Sequence, residues 1–399
     1  MKKFWNLLCV VLCGIALSLG FASCSDDDEK EVRTAQLQVV LNLPADLAPA
    51  DIEGLSVLLS NDKGQEQTLA VTEGNTVSAQ VIQGMYKVTA NGKIAGDATG
   101  TVVGTAQVDV FADATVTVEL SKVYQSPLIF KSIYSTGGVQ GYVVDQYYEI
   151  VNNSDEVQYL DQLILTAPKG NQKTPNAWQA NGYEDLYECG QGQVLAFPGN
   201  GTDFPLQPGQ SILLVNNADN HKELAKEGNH CPDLTKADWE VYLENVKGET
   251  DNKQVPNVEV IFQNNKNMKA WGLGFFGRAY VLARLPKGIT PQQYAANKEN
   301  IMTTPGTASS MEFLMIPSKY VLDAVDILNP DETEHYPTFL PKDDAQGILA
   351  SAAWQGKCIR RKVTRIENGR PYYQDTNNSS VDFLNNQPLT PGVTPTQVD

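Results

Sequence analysis

Three histidines, six cysteines and 47 acidic residues are the side chains of this 399-residue chain that could do chemistry. His221, His230 and Cys231 lie close together, but zinc needs three or four N or S ligands at set intervals. Their spacing fits no such pattern, and there is no Cys-x-x-Cys. Gly-x-Ser-x-Gly and His-Glu-x-x-His are absent. Gly272, Gly274 and Gly277 lack the Lys-Ser/Thr of a phosphate loop, so they read as a turn before a strand. Glycoside hydrolysis needs two carboxylates about 5 to 9 Å apart, and in a chain this acidic spacing alone nominates no pair. Asp145, and Asp155 in the Asn152–Asp155 turn, are candidate oxygen ligands for calcium. Trp178, Trp239 and Trp271 are candidates to stack on sugar rings or anchor a partner, against the alternative that they fill a core.

Cys24 has a different context. Residues 1–23 run Lys2-Lys3, then an apolar stretch to Phe21, then Ala22-Ser23, which is the order of a secretory signal. The acidic flank after residue 24 argues against a membrane span, whose ends usually carry Lys or Arg. Phe21-Ala22-Ser23-Cys24 resembles the lipobox of bacterial lipoproteins, with Phe21 in place of the usual leucine. That resemblance implies cleavage before Cys24 and acylation of its thiol, and two or three acyl chains make a lasting anchor. Ser25, Asp26, Asp27, Asp28 and Glu29 resemble the acidic signal that sends Bacteroidetes lipoproteins to the cell surface. The stretch 24–33 would also serve as an extended, self-repelling tether.

Cys9 and Cys13 would leave with the signal, so Cys189, Cys231 and Cys358 remain. An odd count permits one disulfide at most. Cys189–Cys231 is the candidate pair, and three buried free thiols is the alternative. The formal charge of −17 repels phosphate backbones and argues against nucleic acid as a partner.

These residues must be positioned by β-structure. Between residues 34 and 122, short β-branched runs recur with turn residues between them, as in Leu37-Gln38-Val39-Val40-Leu41 and Thr76–Val81. That spacing predicts a sandwich. Gln83-Gly84-Met85-Tyr86-Lys87-Val88 resembles the strand motif of prealbumin-like domains, which implies a seven-stranded spacer. A second domain is predicted over 127–399. Its Tyr148–Ser154, Leu206–Val215 and Asp375–Gly392 stretches, taken in order, resemble an enlarged lamin-tail domain, an immunoglobulin-like β-sandwich. Inserts are read near 168–205, 216–272 and 286–345, with short helices at Asp219–Lys226, Thr235–Leu243 and Thr290–Lys298. The whole order of signal, sandwich and enlarged second domain resembles an uncharacterised, DUF4876-like family of Bacteroidetes lipoproteins.

The expected fold class is therefore mainly β: two sandwiches, the second with helical inserts. The expected protein is a non-catalytic binding protein on the outer membrane, facing the exterior and working with a β-barrel such as a TonB-dependent receptor. The alternatives are direct capture of a glycan by the insert aromatics and, less favoured, a hydrolase. No catalytic residue or required cofactor is read from the sequence.

Overall fold

A computed structural model describes residues 33–97, 100–170, 172–190, 192–243, 250–264, 271 and 273–399. Cys24 and the acidic residues 25–29 lie outside them. The chain is mainly β, with only short helices. No helix among the described residues is long and apolar enough to cross a membrane.

The first sandwich is built from β1 (Thr34–Asn42), β2 (Ile52–Asn61), β3 (Glu66–Ala70), β4 (Thr76–Ile82), β5 (Gly84–Ile94), β6 (Gly100–Val110), β7 (Ala114–Glu119) and β8 (Ser121–Tyr124). One sheet has the order β4-β1-β7, the other β3-β2-β5-β6-β8. Alternation does the work here. Leu37, Val39 and Leu41 of β1 point inward with Val57 and Leu59 of β2 and Val88 and Ala90 of β5, while Gln36 and Gln38 between the inward residues of β1 face water. Residues 121–124, read from sequence as the end of the domain and a link, form the eighth strand. β7 and β8 are nearly continuous, and the chain changes sheets at Leu120. Gly104 on β6 permits that crossing, because a Cβ there would sit 2.2 Å from the Glu119 carbonyl oxygen.

The second region packs two six-stranded sheets face to face. One runs, in spatial order, through Trp239–Glu240, Ser211–Val215, Tyr147–Asn152, Leu128–Tyr134, Lys357–Arg361 and Phe383–Pro388. The other runs through Glu259–Gln263, Gln193–Ala196, Ile164–Thr166, Ala279–Ala283, Val321–Leu328 and Ile348–Leu349. Phe130, Tyr148 and Leu214 of the first meet Leu165, Leu282 and Val325 of the second in one core. The second sheet is buried on both faces. Its far side carries Val194, Val281 and Ala324 against Tyr187, Tyr294, Leu314 and Phe339. This explains why the Ala279–Ala283 strand is apolar at every position and buried throughout.

Three strands of that sheet (Gln193–Ala196, Glu259–Gln263 and Val321–Leu328) come from stretches read as inserts. Double burial removes the alternation that would have marked them as sandwich strands. The predicted helix at Thr235–Leu243 is instead a turn and a strand. The Thr235 backbone N–H and hydroxyl both donate to Asp233 Oδ1, the Asp238 carboxylate accepts the Leu213 N–H, and Trp239 pairs with Leu214 in parallel. Tertiary pairing thus overrides a local capping signal. The Thr290 cap does form: its Oγ1 accepts the Gln293 N–H, and the Gln293 side chain accepts the Thr290 N–H, ahead of the helix Pro291–Ala296. Asp219–Lys226 shortens to His221–Leu224.

Candidate functional site

The residues singled out by type do not gather at one place. Trp178, Trp239 and Trp271 are 6%, 4% and 2% exposed. Trp239 is clamped edge-on by Phe197 and Phe204, and Trp178 packs edge-on against Phe313. None presents a ring face to solvent, so capture of a glycan by stacking on these three is overturned. The apolar demand of the added layers has claimed them.

The cysteine pairing is corrected as well. Cys189, Cys231 and Cys358 are all free and buried. The Cys189 sulfur sits behind the second sheet and accepts the Leu314 N–H, whereas Cys231 lies beside Gly138 in a loop next to the first sheet. Burial pushes each thiol up to about 12, so all three are inert at neutral pH.

Asp145 and Asp155 flank opposite ends of the Tyr147–Asn152 strand, about 20 Å of extended chain apart. Asp145 accepts the Tyr134 hydroxyl and the Gly138 N–H. Asp155 is paired with Arg370 at 2.7 Å. They do not form a calcium site, and no metal-binding cluster of His, Cys, Asp or Glu occurs among the described residues. His221 is held between the Tyr142 hydroxyl and the Asn217 carbonyl, and burial lowers its pKa. It is a structural histidine.

What the fold does bring together are the three stretches whose order suggested the second domain. The Asn153 side chain bonds both the N–H and the carbonyl of Tyr373. Asn152 reaches the Leu206 carbonyl, and its own carbonyl accepts the Gly209 N–H. Gly209 has φ +77°, and a Cβ there would strike Arg370 at 2.7 Å, so glycine is required on both counts.

Beneath these turns lies Arg361, 1% exposed. Its Nη2 donates to both oxygens of Asp323 at 2.9 and 2.7 Å. Its Nη1 reaches Asp375 at 3.0 Å and Asp382 at 3.4 Å. Nε donates to the Phe130 carbonyl, and the guanidinium lies 4.5 Å from the centre of the Phe383 ring. One cation thus serves three buried acids, Asp323 from the second sheet and Asp375 and Asp382 from the turn and short helix before Phe383. Desolvation pushes Asp375 up to about 7 and raises Asp323, with Arg361 opposing both shifts. Arg361 is not among the residues that the sequence singles out by type or spacing. A charged residue at an inward position of a core strand, with Asp375 and Asp382 in the following turn, was the available signal.

The network extends to the first sandwich. Asp375 Oδ2 accepts the Ser126 N–H at 3.0 Å, and Gln125 donates to the Asp375 carbonyl. The short helix Pro341–Asp344 packs on β6 and β8, and Ala345 packs with Val103 and Val123. Buried Asp344 accepts the N–H groups of Asp326 and Ser379. Burial raises Asp344, takes Asp326 up to about 6, and lowers Lys87 of β5 to about 8 despite the attraction of both acids. At this junction opens a cleft of about 900 Å³, with Glu53 and Lys93 on one wall and Asp155, Arg365 and Tyr372 on the other. The Tyr372 ring lies 3.7 and 4.2 Å from the Arg365 and Arg370 guanidinium groups.

Two β-sandwich units joined by buried hydrogen bonds and a small apolar contact define a multi-module, mainly β protein. Residues 207–390 match the model of DUF4876, a family described as protein of unknown function. A crystal structure of a DUF4876 family protein from Bacteroides thetaiotaomicron is 25% identical, with a TM-score of 0.61 over 91% of this chain and 99% of its own. The resemblance to the DUF4876 family therefore holds across both units. A DUF3823 family protein from Parabacteroides merdae, 11% identical with a TM-score of 0.18, covers 36% of this chain and 68% of its own. No curated protein matches this chain.

Proposed function

We propose that this chain is an outer-membrane lipoprotein, anchored through Cys24 and facing the cell exterior, that works as a non-catalytic binding protein. The observation that carries this reading is the polarity of the first sandwich. The chain enters at Arg33, whose carbonyl accepts the Gln83 N–H, beside the β6–β7 turn. It leaves at Tyr124, paired with Gly100 at the opposite end of β6. β5 spans the distance with 11 residues, about 35 Å of strand. A chain tethered just before Thr34 would hold the junction cleft and the larger region that far above the bilayer.

The bonding of the acids supports a binding role. In the cleft, Asp155 is committed to Arg370, and Asp375 to Arg361 and Ser126. Glu53 and Glu156 also line it but are exposed, without the apolar enclosure that tunes a general acid. The proposed partner is an outer-membrane β-barrel of the TonB-dependent receptor type. Crosslinking of intact cells followed by isolation of this chain tests the whole reading. A barrel protein should copurify, Cys24→Ser should release the chain from the membrane, and added protease should digest it without breaking the cells. Recovery as an unpartnered, protease-protected chain would overturn it.

A further inference from the structure

A second cavity, of about 740 Å³, opens on the second region away from the junction. Arg278, Trp178, Asn264 and Glu188 line it. Arg278 Nε and Nη1, Trp178 Nε1 and Asn264 Nδ2 are buried and have no hydrogen-bond partner among the described residues. Four orphaned donor atoms facing one cavity are unusual, because buried polar groups are nearly always paired. Arg278 also forms none of the ion pairs found among the described residues, in a chain with 47 acids and 30 bases. These donor atoms therefore lack a hydrogen-bond acceptor among the described residues, with Glu188 acting on Arg278 through its charge alone.

The neighbours restrict its chemistry. Glu188 is 3% exposed, and its Oε1 accepts the Lys169 N–H. Arg278 and Lys169 both line the cavity and both act on Glu188; the single positive charge left over, flanked by two neutral N–H donors, matches a singly charged carboxylate and not a dianionic phosphate. Met311, Phe313 and Pro175 give the lining an apolar part beside the polar Gln172, Asn176 and Thr304, and Met311 is 47% exposed. The volume lies within the range of small-molecule sites.

We infer that this cavity binds a small organic carboxylate, with its acid group on Arg278, Trp178 Nε1 and Asn264 and its body against Met311 and Phe313. Trp178 acts here through the edge of its indole, as a donor, since its ring faces are packed. The site deepens the binding role but stands whether or not Cys24 is acylated.

Titration of the full chain in detergent, followed by saturation-transfer NMR, tests it. Two acids are used as probes, D-glucuronate and N-acetylphenylalanine, each beside its neutral counterpart, glucose and N-acetylphenylalanine amide. At least one acid should saturate below about 20 mM, with its neutral counterpart at least tenfold weaker. The acid that binds identifies a sugar acid or an amino-acid-like ligand as the source. Arg278→Gln should weaken binding at least tenfold. Asn264→Ala, remote from the core, should weaken it severalfold with the melting temperature unchanged, and it decides the matter if the arginine variant does not fold. Failure of both acids to saturate, equal binding of a neutral counterpart, or full affinity in Asn264→Ala and Arg278→Gln would overturn the assignment.

Discussion

Replacing Arg361 by methionine keeps much of the side-chain volume and removes the positive charge. In the native fold that guanidinium donates to Asp323, Asp375 and Asp382 and to the carbonyls of Phe130 and Gln374. Asp382 keeps the Thr376 N–H and hydroxyl, and Asp323 keeps the Phe130 N–H, so neither is stripped of all its donors. Removing one partner of a buried pair costs about 3–5 kcal/mol, because the remaining charges are left uncompensated. With three acids losing one cation, the upper part of that range applies at pH 8, and a loss of about 5–8 °C in melting temperature follows for a chain of this size.

The penalty carries a pH signature. Burial already raises Asp323 and Asp375 in the folded state against the pull of Arg361, and without Arg361 both rise further. Such groups destabilise the fold as pH rises through the folded pKa, and they regain stability as they take up protons below it. The difference between Arg361→Met and the native chain should therefore shrink at pH 5 relative to pH 8. Urea denaturation followed by circular dichroism at both values reads it. Arg361→Lys, which keeps the charge and loses the fork, should fall between. A penalty below about 1 kcal/mol, or one equal at the two pH values, would refute the view that this cation holds the acids together.

The native chain should be most stable on the acidic side of neutrality. Asp375 at about 7 and Asp326 at about 6 are raised above their unfolded values, so stability falls as pH climbs from about 4 to 7; a thermal-melt series that peaks at pH 8 would contradict this. Asp161 behaves in the opposite sense. It accepts the N–H groups of Gly201, Asp203 and Phe204, and its pKa is lowered, so Asp161→Ala should destabilise by about 2–3 kcal/mol at pH 7 and by less below pH 3. Trp239→Ala should cost about 3–5 kcal/mol in denaturant melts, as a core cavity does. Thiol titration of the unreduced, unfolded Cys24→Ser chain without residues 1–23 should count three free thiols, and the folded chain should expose none; a count of one would restore the disulfide.

Legibility from sequence tracked how each strand is buried. β1, β4 and β7 face water on one side, so period-two alternation marks them, while β5 and β6 lose it where they meet the second region. The Ala279–Ala283 strand was read as a strand, but Gln193–Ala196 and Val321–Leu328 of the same sheet, largely buried and without that rhythm, fell inside stretches read as inserts. Turn chemistry read well where it is local, as at Thr290 and Asn152. It misled at Thr235, where the competing bonds come from Asp233 nearby and from the Leu213–Leu214 strand, twenty residues away in sequence. The aromatic residues were correctly associated with the added layers, but composition cannot distinguish a ring that fills a layer from one that lines a groove. Arg361 was hidden for a related reason: its three acids lie 14 to 38 positions away, and only folding makes them one cluster.

The parallel pairing of β1 with β7 sets how the first sandwich bears load. β1 runs away from the chain entry, and β7 runs alongside it in the same direction, in register from Leu37 with Ala114 to Asn42 with Glu119. β7 continues through β8 into the second region. If the entry is fixed to a membrane and the outer region is pulled by a bound partner, β1 is drawn one way and β7 the other along their common axis. Their hydrogen bonds then resist together in shear instead of opening one at a time, and the β4 ladder on the other side of β1 shares the tension. A protein tethered at one end and gripped at the other is thus strongest along the line joining them.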